Sequence, residues 1–478
     1  MSQSPPAAAA AEIPKAGWAE LFRDGRALYT VLVLLGVGLF ALQNLVIAIV
    51  MPTVVADIGG ANYYAWPAML YTIGAIVGAA SLGPVWAAFG RRRGYAVSGL
   101  LFMAATVGCA LAADMGTLII ARAFQGFAGG LITGGGMALV SGLFTQPQRK
   151  RVMALHQGVW MIAQLMGPVV GGAFAEIGWW RGSFWTMAPV MLGFAVLAWL
   201  KIPEGSGAEA ASRGPGRFPF LRLGLLTGGV FCVALAGPVF EGAMRILMIA
   251  AALVLVWACL RLDGRAENRL YPTGALSIFS PVGLGLWITM LGGMAQTSVN
   301  IFMPLLLQVV HGVTPLFVSF IAITVSVGWT IATFAVSGYS GRREDLALGT
   351  GPLLMLAGLL GIALCAQLPL LWVLALAALV LGLGIGAHNV LLVTRIMASG
   401  REGEERITGS SIPSMRSLGA AFGAAMGGMV SSIAGLGDAT EAAAVGPAVN
   451  FVFAFNLLPL ALCALFMILL IRMGSRGH

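Results

Sequence analysis

No aspartate or glutamate lies near the middle of any of the fourteen long apolar stretches in this 478-residue chain. An acid inside a membrane is the usual proton carrier and the usual counter-charge for a cationic cargo. Its absence constrains both what could be moved and how movement could be driven. Charge of either sign is scarce, at 9% of residues against about 25% in a soluble domain, and 59% of residues are hydrophobic. A soluble core could not absorb that much apolar sequence. The five cysteines (Cys109, Cys232, Cys259, Cys365, Cys463) each fall inside an apolar run, none close in sequence to another. They indicate neither a metal site nor a disulfide framework and read as small packing residues. No polar stretch is long enough for a soluble domain, and no nucleophile–base pair, metal cluster or phosphate-binding loop is visible. Thr133 to Gly136, although Gly-rich, falls within an apolar run. Neither an enzyme nor a cofactor is expected. Met1 to Gly17 is Ala/Pro-rich and lacks a charged segment leading into a short apolar one, so it does not read as a signal peptide.

What is abundant is glycine, 66 residues, roughly twice the usual ~7%, as expected where small residues let membrane helices approach closely. The apolar runs are about 17–29 residues long and do not alternate, which predicts spanning helices rather than barrel strands. The predicted spans are Leu28–Met51, Tyr64–Trp86, Gly94–Ala113, Thr117–Phe144, Met153–Ala175, Ser183–Leu200, Leu223–Phe240, Met244–Leu260, Pro281–Val309, Pro315–Ser337, Leu346–Ala366, Pro369–Thr394, Thr408–Gly435 and Asn450–Ile471. The seventh and eighth are short, with only Glu241 to Ala243 between them. The chain is therefore read as an all-α membrane protein divided six, two, six. It would comprise a tail (1–27), a first block (28–200), a linker (201–222), two extra helices (223–262), a second block (281–471) and a tail (472–478).

The net charge of +9 is a topology signal rather than a nucleic-acid footprint. Arg91–Arg93, Arg149–Arg151, the linker cations, Arg261, Arg265, Arg269, Arg342, Arg343, Arg401, Arg406 and Arg472 all fall on one side of the predicted membrane. Only Arg181 and Arg245 fall on the other. The positive-inside rule places both termini in the cytoplasm, in a multi-pass protein of the cytoplasmic membrane. Arg122, Arg395 and Arg416 remain inside apolar runs or at their edges.

The loop after the second span reads Gly83-Pro-Val-Trp-Ala-Ala-Phe-Gly90-Arg91-Arg92-Arg93, and the matching loop of the second block reads Gly338-Tyr-Ser-Gly341-Arg342-Arg343. One device at the same place in each block suggests an internal repeat, as in many transporters. The fourth span carries Arg122-Ala-Phe-Gln125-Gly126. The fifth carries Gly167-Pro168-Val-Val-Gly171-Gly172, followed by Trp180-Arg181-Gly-Ser-Phe-Trp185. The first runs from Leu42-Gln43-Asn44 through Pro52-Thr53 to Ala56-Asp57-Ile58-Gly59. Together these segments resemble the major facilitator superfamily, and within it the fourteen-helix drug:proton antiporter branch. The resemblance covers nearly the whole chain. It implies two pseudo-symmetric six-helix bundles plus two extra helices, working by alternating access. Two departures stand out: Ala87 occupies the acidic position of the loop signature, and Gln43 stands where the branch typically has aspartate.

Candidate cavity residues are Gln43, Asn44, Arg122, Gln125, Trp160, Gln296, Asn300, His388 and Asn389. Arg122 is either a cavity residue of the relay and substrate region, as the resemblance implies, or a structural arginine bonded to carbonyls. Gln125, three residues on, shares its helix face. Gln43 and Asn44 either line the cavity or bond to a neighbouring helix such as that of Arg122; as amides they carry no proton near neutral pH. Gln296 and Asn300 are four apart on one face. His388 is the leading intramembrane titrating group, against the plainer alternative of a hydrogen-bonded packing histidine. Coupling candidates are therefore His388, Arg122 and, at a helix end, Asp57. Arg395 and Arg416 are read as snorkelling from near the cytoplasmic ends. Gly83, Gly90, Arg91, Gly167, Pro168, Gly171 and Gly172 are the expected bending and hinge elements.

The expected function is export of a small organic compound, neutral or anionic and amphipathic because the residual intramembrane charge is positive. Proton coupling is one open question. Uptake, uniport or exchange of an organic anion is the second reading, and a non-transporting receptor or scaffold the third. Expected partners are the substrate, protons if coupled, and membrane lipids, with no nucleic acid, for a monomer.

Overall fold

The structure, a computed structural model, describes residues 26–204, 219–266, 269–275, 277–401, 403–437 and 441–474. The predicted N-terminal tail up to residue 25, residues 205–218 of the predicted linker and the terminal 475–478 lie outside the described residues. Regular structure among the described residues is helical. The helices are α1 (Arg26–Ile58), α2 (Trp66–Ala110), α3 (Met115–Leu143), α4 (Gln146–Glu176), the short α5 (Gly182–Trp185), α6 (Met187–Lys201), α7 (Phe220–Leu235), α8 (Gly242–Gly264), α9 (Pro281–Leu305), α10 (Pro315–Val336), α11 (Arg342–Cys365), α12 (Leu371–Ala398), α13 (Glu405–Ile433) and α14 (Ala442–Gly474). A π-helical turn, Leu306–Val310, extends α9.

Every predicted span falls on helix, but the bounds differ. The first helix continues past Met51 through Pro52 to Ile58. Hydropathy ends a run where side chains turn polar, whereas the backbone ends the helix at Gly59 and Gly60, with φ of 71° and 83°. The second and third spans are joined in α2, broken only at Gly90 (φ 76°, ψ 165°). An L side chain would be strained in that conformation, so the predicted turn of Gly83 to Arg93 is reduced to a break at one residue. The sixth span is divided between α5 and α6. Among the described residues eleven helical stretches are long and apolar enough to cross a membrane, one of them the broken 61–111 stretch. Phe220–Leu235 is shorter than these, and α13 is helical but more polar.

Glycine sets the closest approaches. A Cβ at Gly126 of α3 would sit 2.0 Å from the Tyr71 carbonyl oxygen of α2. In the second half, a Cβ at Gly382 of α12 would sit 2.0 Å from the Val325 carbonyl oxygen of α10. The same device thus packs the α2–α3 pair and the α10–α12 pair. Helices α1 to α6 pack among themselves, as do α9 to α14, while α7 and α8 pack on each other and α7 against α13. Arg222 and Asp263 form a buried ion pair between α7 and the end of α8. Asp263 also accepts from the Leu270 and Tyr271 backbone N–H groups at 2.9–3.1 Å, which ties the pair to the segment leading into α9.

The two halves meet at the end predicted to be exterior. There the Gln308 side chain donates to the Ile49 carbonyl at 2.9 Å, and Ser319 Oγ donates to the Pro168 carbonyl at 2.6 Å. The Leu316 N–H donates to Glu176 at 3.1 Å. Tyr64 and Phe302 lie with ring centroids 5.8 Å apart. At the predicted cytoplasmic end the arginines bond within their own half. Arg91 donates to Pro203 at 3.4 Å, Arg92 pairs with Glu204 at 2.9 Å and Arg395 pairs with Glu344 and Asp345 at 2.9 and 2.7 Å.

Candidate functional site

Arg122 is fully buried within the first half. Its Nη1 donates to Gln125 Oε1 at 2.6 Å and to the Gln43 carbonyl at 3.2 Å; its Nε donates to the Pro67 carbonyl at 3.3 Å. The guanidinium lies 4.0 Å from the centroid of the Tyr71 ring, whose π-face favours a cation. Tyr71 in turn donates to the Phe40 carbonyl at 2.8 Å. Gln125 Nε2 donates to Thr106 Oγ1 at 2.8 Å and to Gln43 Oε1 at 3.3 Å, and Gln43 Nε2 reaches the Ser183 carbonyl at 3.5 Å. One helix turn (Arg122, Gln125) is thereby locked to α1 and both parts of α2. No carboxylate joins this cluster among the described residues, and Arg122 Nη2 has no hydrogen-bond partner. A buried guanidinium is here solvated by carbonyl dipoles, amides and an aromatic face instead of a counter-ion.

The other candidates distribute unevenly. Gln43 is sealed into the Arg122 cluster, so its bond to a neighbouring helix is observed; Asn44 is half-buried beside it. Trp160 lies edge-on to Phe40, centroids 6.2 Å apart, on the flank of the same cluster. Gln296 is half-buried and Asn300 exposed; neither is brought to Arg122. His388 is 6% exposed. Its Nδ1 is 2.8 Å from the Gly384 carbonyl of its own helix, and the ring packs on Gly351, which corresponds to the packing alternative. Asp57 accepts from Trp180 Nε1 at 3.1 Å and pairs closely with Arg181. Arg181 also donates to the Ala112 carbonyl at 2.9 Å. The Trp-Arg segment thus clamps the rim of the first half.

Of the hinge candidates, Gly167, Gly171 and Gly172 lie at close helix contacts. A Cβ at Gly167 would lie 2.7 Å from Leu45 Cβ, and one at Gly171 would lie 3.0 Å from the Val46 carbonyl, both on α1. A Cβ at Gly172 would lie 2.8 Å from the Pro315 carbonyl of α10. The Pro168 carbonyl accepts from Ser319. Gly83 is exposed and Gly90 supplies the helix break.

Arg416 is the principal correction. It was expected to snorkel, yet it stands eleven residues after Glu405, about 16 Å along the helix at 1.5 Å per residue. Its Nη2 donates to Asn389 Oδ1 of α12 at 2.5 Å. The depth alone could have signalled this, since an arginine stem cannot span that distance to the interface. The contributions of Tyr71 and Thr106 to the Arg122 cluster leave no signal in the sequence, because a tyrosine or threonine within an apolar run carries no pattern of its own. At the start of α13, the Thr273 hydroxyl (2.5 Å) and then its backbone N–H (2.9 Å) hold the Glu404 carboxyl below its ordinary pKa.

The family model for the Major Facilitator Superfamily matches residues 33–424. The chain belongs to this superfamily. A probable multidrug-efflux transporter of Mycobacterium tuberculosis strain H37Rv is 31% identical over 438 residues, covering 89% of this chain and 92% of the relative. The multidrug transporter protein MdtP of Bacillus subtilis strain 168 is 25% identical over 82% of this chain and 72% of its own length. Among solved structures, a D-xylose–proton symporter has a TM-score of 0.64 at 16% identity, over 92% of this chain and 97% of that one. A bacterial homologue of the lysosomal transporter Spinster, inward-facing and unoccupied, has a TM-score of 0.60 at 16% identity, over 94% and 98%. These two structures support the fold. Membership in the superfamily makes the chain a multi-pass membrane transporter and not an enzyme.

Proposed function

We propose that this major facilitator protein exports a small organic compound, neutral or anionic and amphipathic, from the cytoplasm by alternating access between its two halves. The observation that carries the cargo charge is the pair of intramembrane arginines, Arg122 and Arg416, neither matched with a carboxylate among the described residues. A lipophilic cation entering between them would meet positive charge in a medium of low dielectric, where like charges repel strongly. The name of the mycobacterial relative, a probable multidrug-efflux transporter, supports the outward direction. The two six-helix blocks with α7–α8 between them, fourteen crossings in all and cytoplasmic termini form the architecture of this proposal. In it Gly167, Pro168, Gly171 and Gly172 form the joint on which the halves rock.

The test is a melting-temperature screen on the purified full chain with aryl carboxylates, neutral amides and quaternary ammonium compounds, since a bound ligand raises the melting point by mass action. Anions and neutral amphiphiles should shift it. Tight binding of quaternary ammonium compounds alone would overturn the cargo assignment.

His388 favours a second reading for the energetics, because its ring is committed to Gly384 and Gly351. On that reading the protein exchanges or facilitates movement of an organic anion without using protons. Flux into proteoliposomes with and without an imposed pH gradient separates the two: indifference to the gradient supports exchange or uniport, and gradient-driven accumulation supports coupled export.

A further inference from the structure

Arg416 combines three properties that a packing residue would not need together. It lies deep in α13, it is only half-buried, and its guanidinium bridges to a helix that its own helix otherwise scarcely touches. The less buried positions of α13 include Gly409, Pro413, Arg416 and Ala420, and beside them Ser410, Ser414 and Ser417, spacings of three and four that mark one broad side of the helix. On α12, Asn389 and Met397 occupy the facing edge, and Met397 meets Gly409 nearer the loop. A cation at this depth faces the bundle interior or a water-filled space between helices rather than lipid. Asn389 fixes one guanidinium nitrogen through a neutral oxygen and leaves the charge uncompensated. A planar guanidinium held at one corner presents its remaining donors to an oxyanion in a fixed plane.

We propose that Arg416, positioned by Asn389, recognises the acidic group of the cargo (a carboxylate or sulfonate) in the second half of the transporter. This rests on the anionic-cargo reading and assigns its contact. Arg416 acts as a binding residue, Asn389 as a positioning residue.

The experiment measures binding of 1-naphthylacetate and of its neutral amide to the purified full chain. Wild type should prefer the acid. Arg416→Gln should abolish that preference, with about a tenfold loss of affinity for the acid and little change for the amide, as expected for one charge-assisted contact. Asn389→Asp provides the control for folding. It sets a carboxylate against the guanidinium, keeps the arginine in place, and should weaken the acid as much as Arg416→Gln does while the melting temperature holds or rises. If both variants bind the acid with wild-type affinity, the assignment of Arg416 is overturned while the anionic reading stands. If wild type itself shows no preference for the acid over the amide, the reading beneath it fails as well.

Discussion

The two intramembrane arginines occupy opposite halves and could hardly be housed more differently. Arg122 is closed in on all sides, with three hydrogen bonds, a tyrosine face and two glutamines that are themselves satisfied. Arg416 has one bond, to Asn389, on a helix face that stays half open. The same residue type serves two purposes. A guanidinium fully buried among carbonyls knits helices together even with one nitrogen, Nη2, left unpaired, whereas one on a less buried helix face is within reach of a ligand.

The largest expected difference follows from removing each. Arg122→Met would strand Gln125 and two backbone carbonyls and cost roughly 2–4 kcal/mol, at 1.5–3 kcal/mol per charge-assisted bond less the relief of a buried charge. Arg416→Gln loses a single bond of the same kind, partly offset by relief of its buried charge, and should cost about 1 kcal/mol. Melting of both variants in the same detergent checks this, and equal losses would erase the distinction between a sealed and an open arginine. A smaller effect, of opposite sign, is expected from Gln43→Glu. It offers the sealed guanidinium a counter-charge and should add about 1–2 kcal/mol, leaving the acid-over-amide preference unchanged. A rise in stability accompanied by lost preference would show that the two clusters communicate.

Smaller again is Asp57→Asn, which breaks a partly exposed pair at the rim and should cost less than about 1 kcal/mol. If Asp57 is only a clamp, the pH profile of flux stays in place; a displaced profile would return it to the coupling candidates. The smallest effect concerns Glu404, at the foot of the Arg416 helix. Its folded pKa is depressed by Thr273, so its contribution is present above the ordinary glutamate value and is lost as pH falls. The melting difference between wild type and Glu404→Gln should therefore hold steady above the ordinary glutamate value of about 4.3 and shrink progressively as pH falls below it. A difference that grows with acid would contradict the Thr273 contact.

Much of this was legible in residue order. The apolar runs placed each long helix among the described residues, because a spanning segment must satisfy its backbone internally and the helix is the local way to do so. Arg122 and Gln125 were legible as neighbours because three residues is nearly one turn. Gln43 was legible only as a polar misfit. That its carbonyl, and not its amide, receives Arg122 is a matter of how α1 and α3 cross. The Arg416–Asn389 bond joins residues 27 positions apart on different helices, and no periodicity within either helix points at the other. Helix ends were misjudged for the opposite reason. Hydropathy reads side chains, while Gly59, Gly60 and Gly90 end or break helices through backbone angles that composition does not display.

The joint formed by Gly172, Ser319, Gln308 and their partners across the halves has a pharmacological consequence. In this conformer the face expected to meet the surroundings is shut by backbone-level contacts, so a blocker added to the medium finds no entrance. To reach this conformer it would have to dissolve through the bilayer or be generated inside the cell; from the medium it can bind only after the halves rock open outward. For compounds that fit this conformer alone, a whole-cell screen would rank first by permeability and only second by fit, whereas inside-out vesicles would rank them by fit alone.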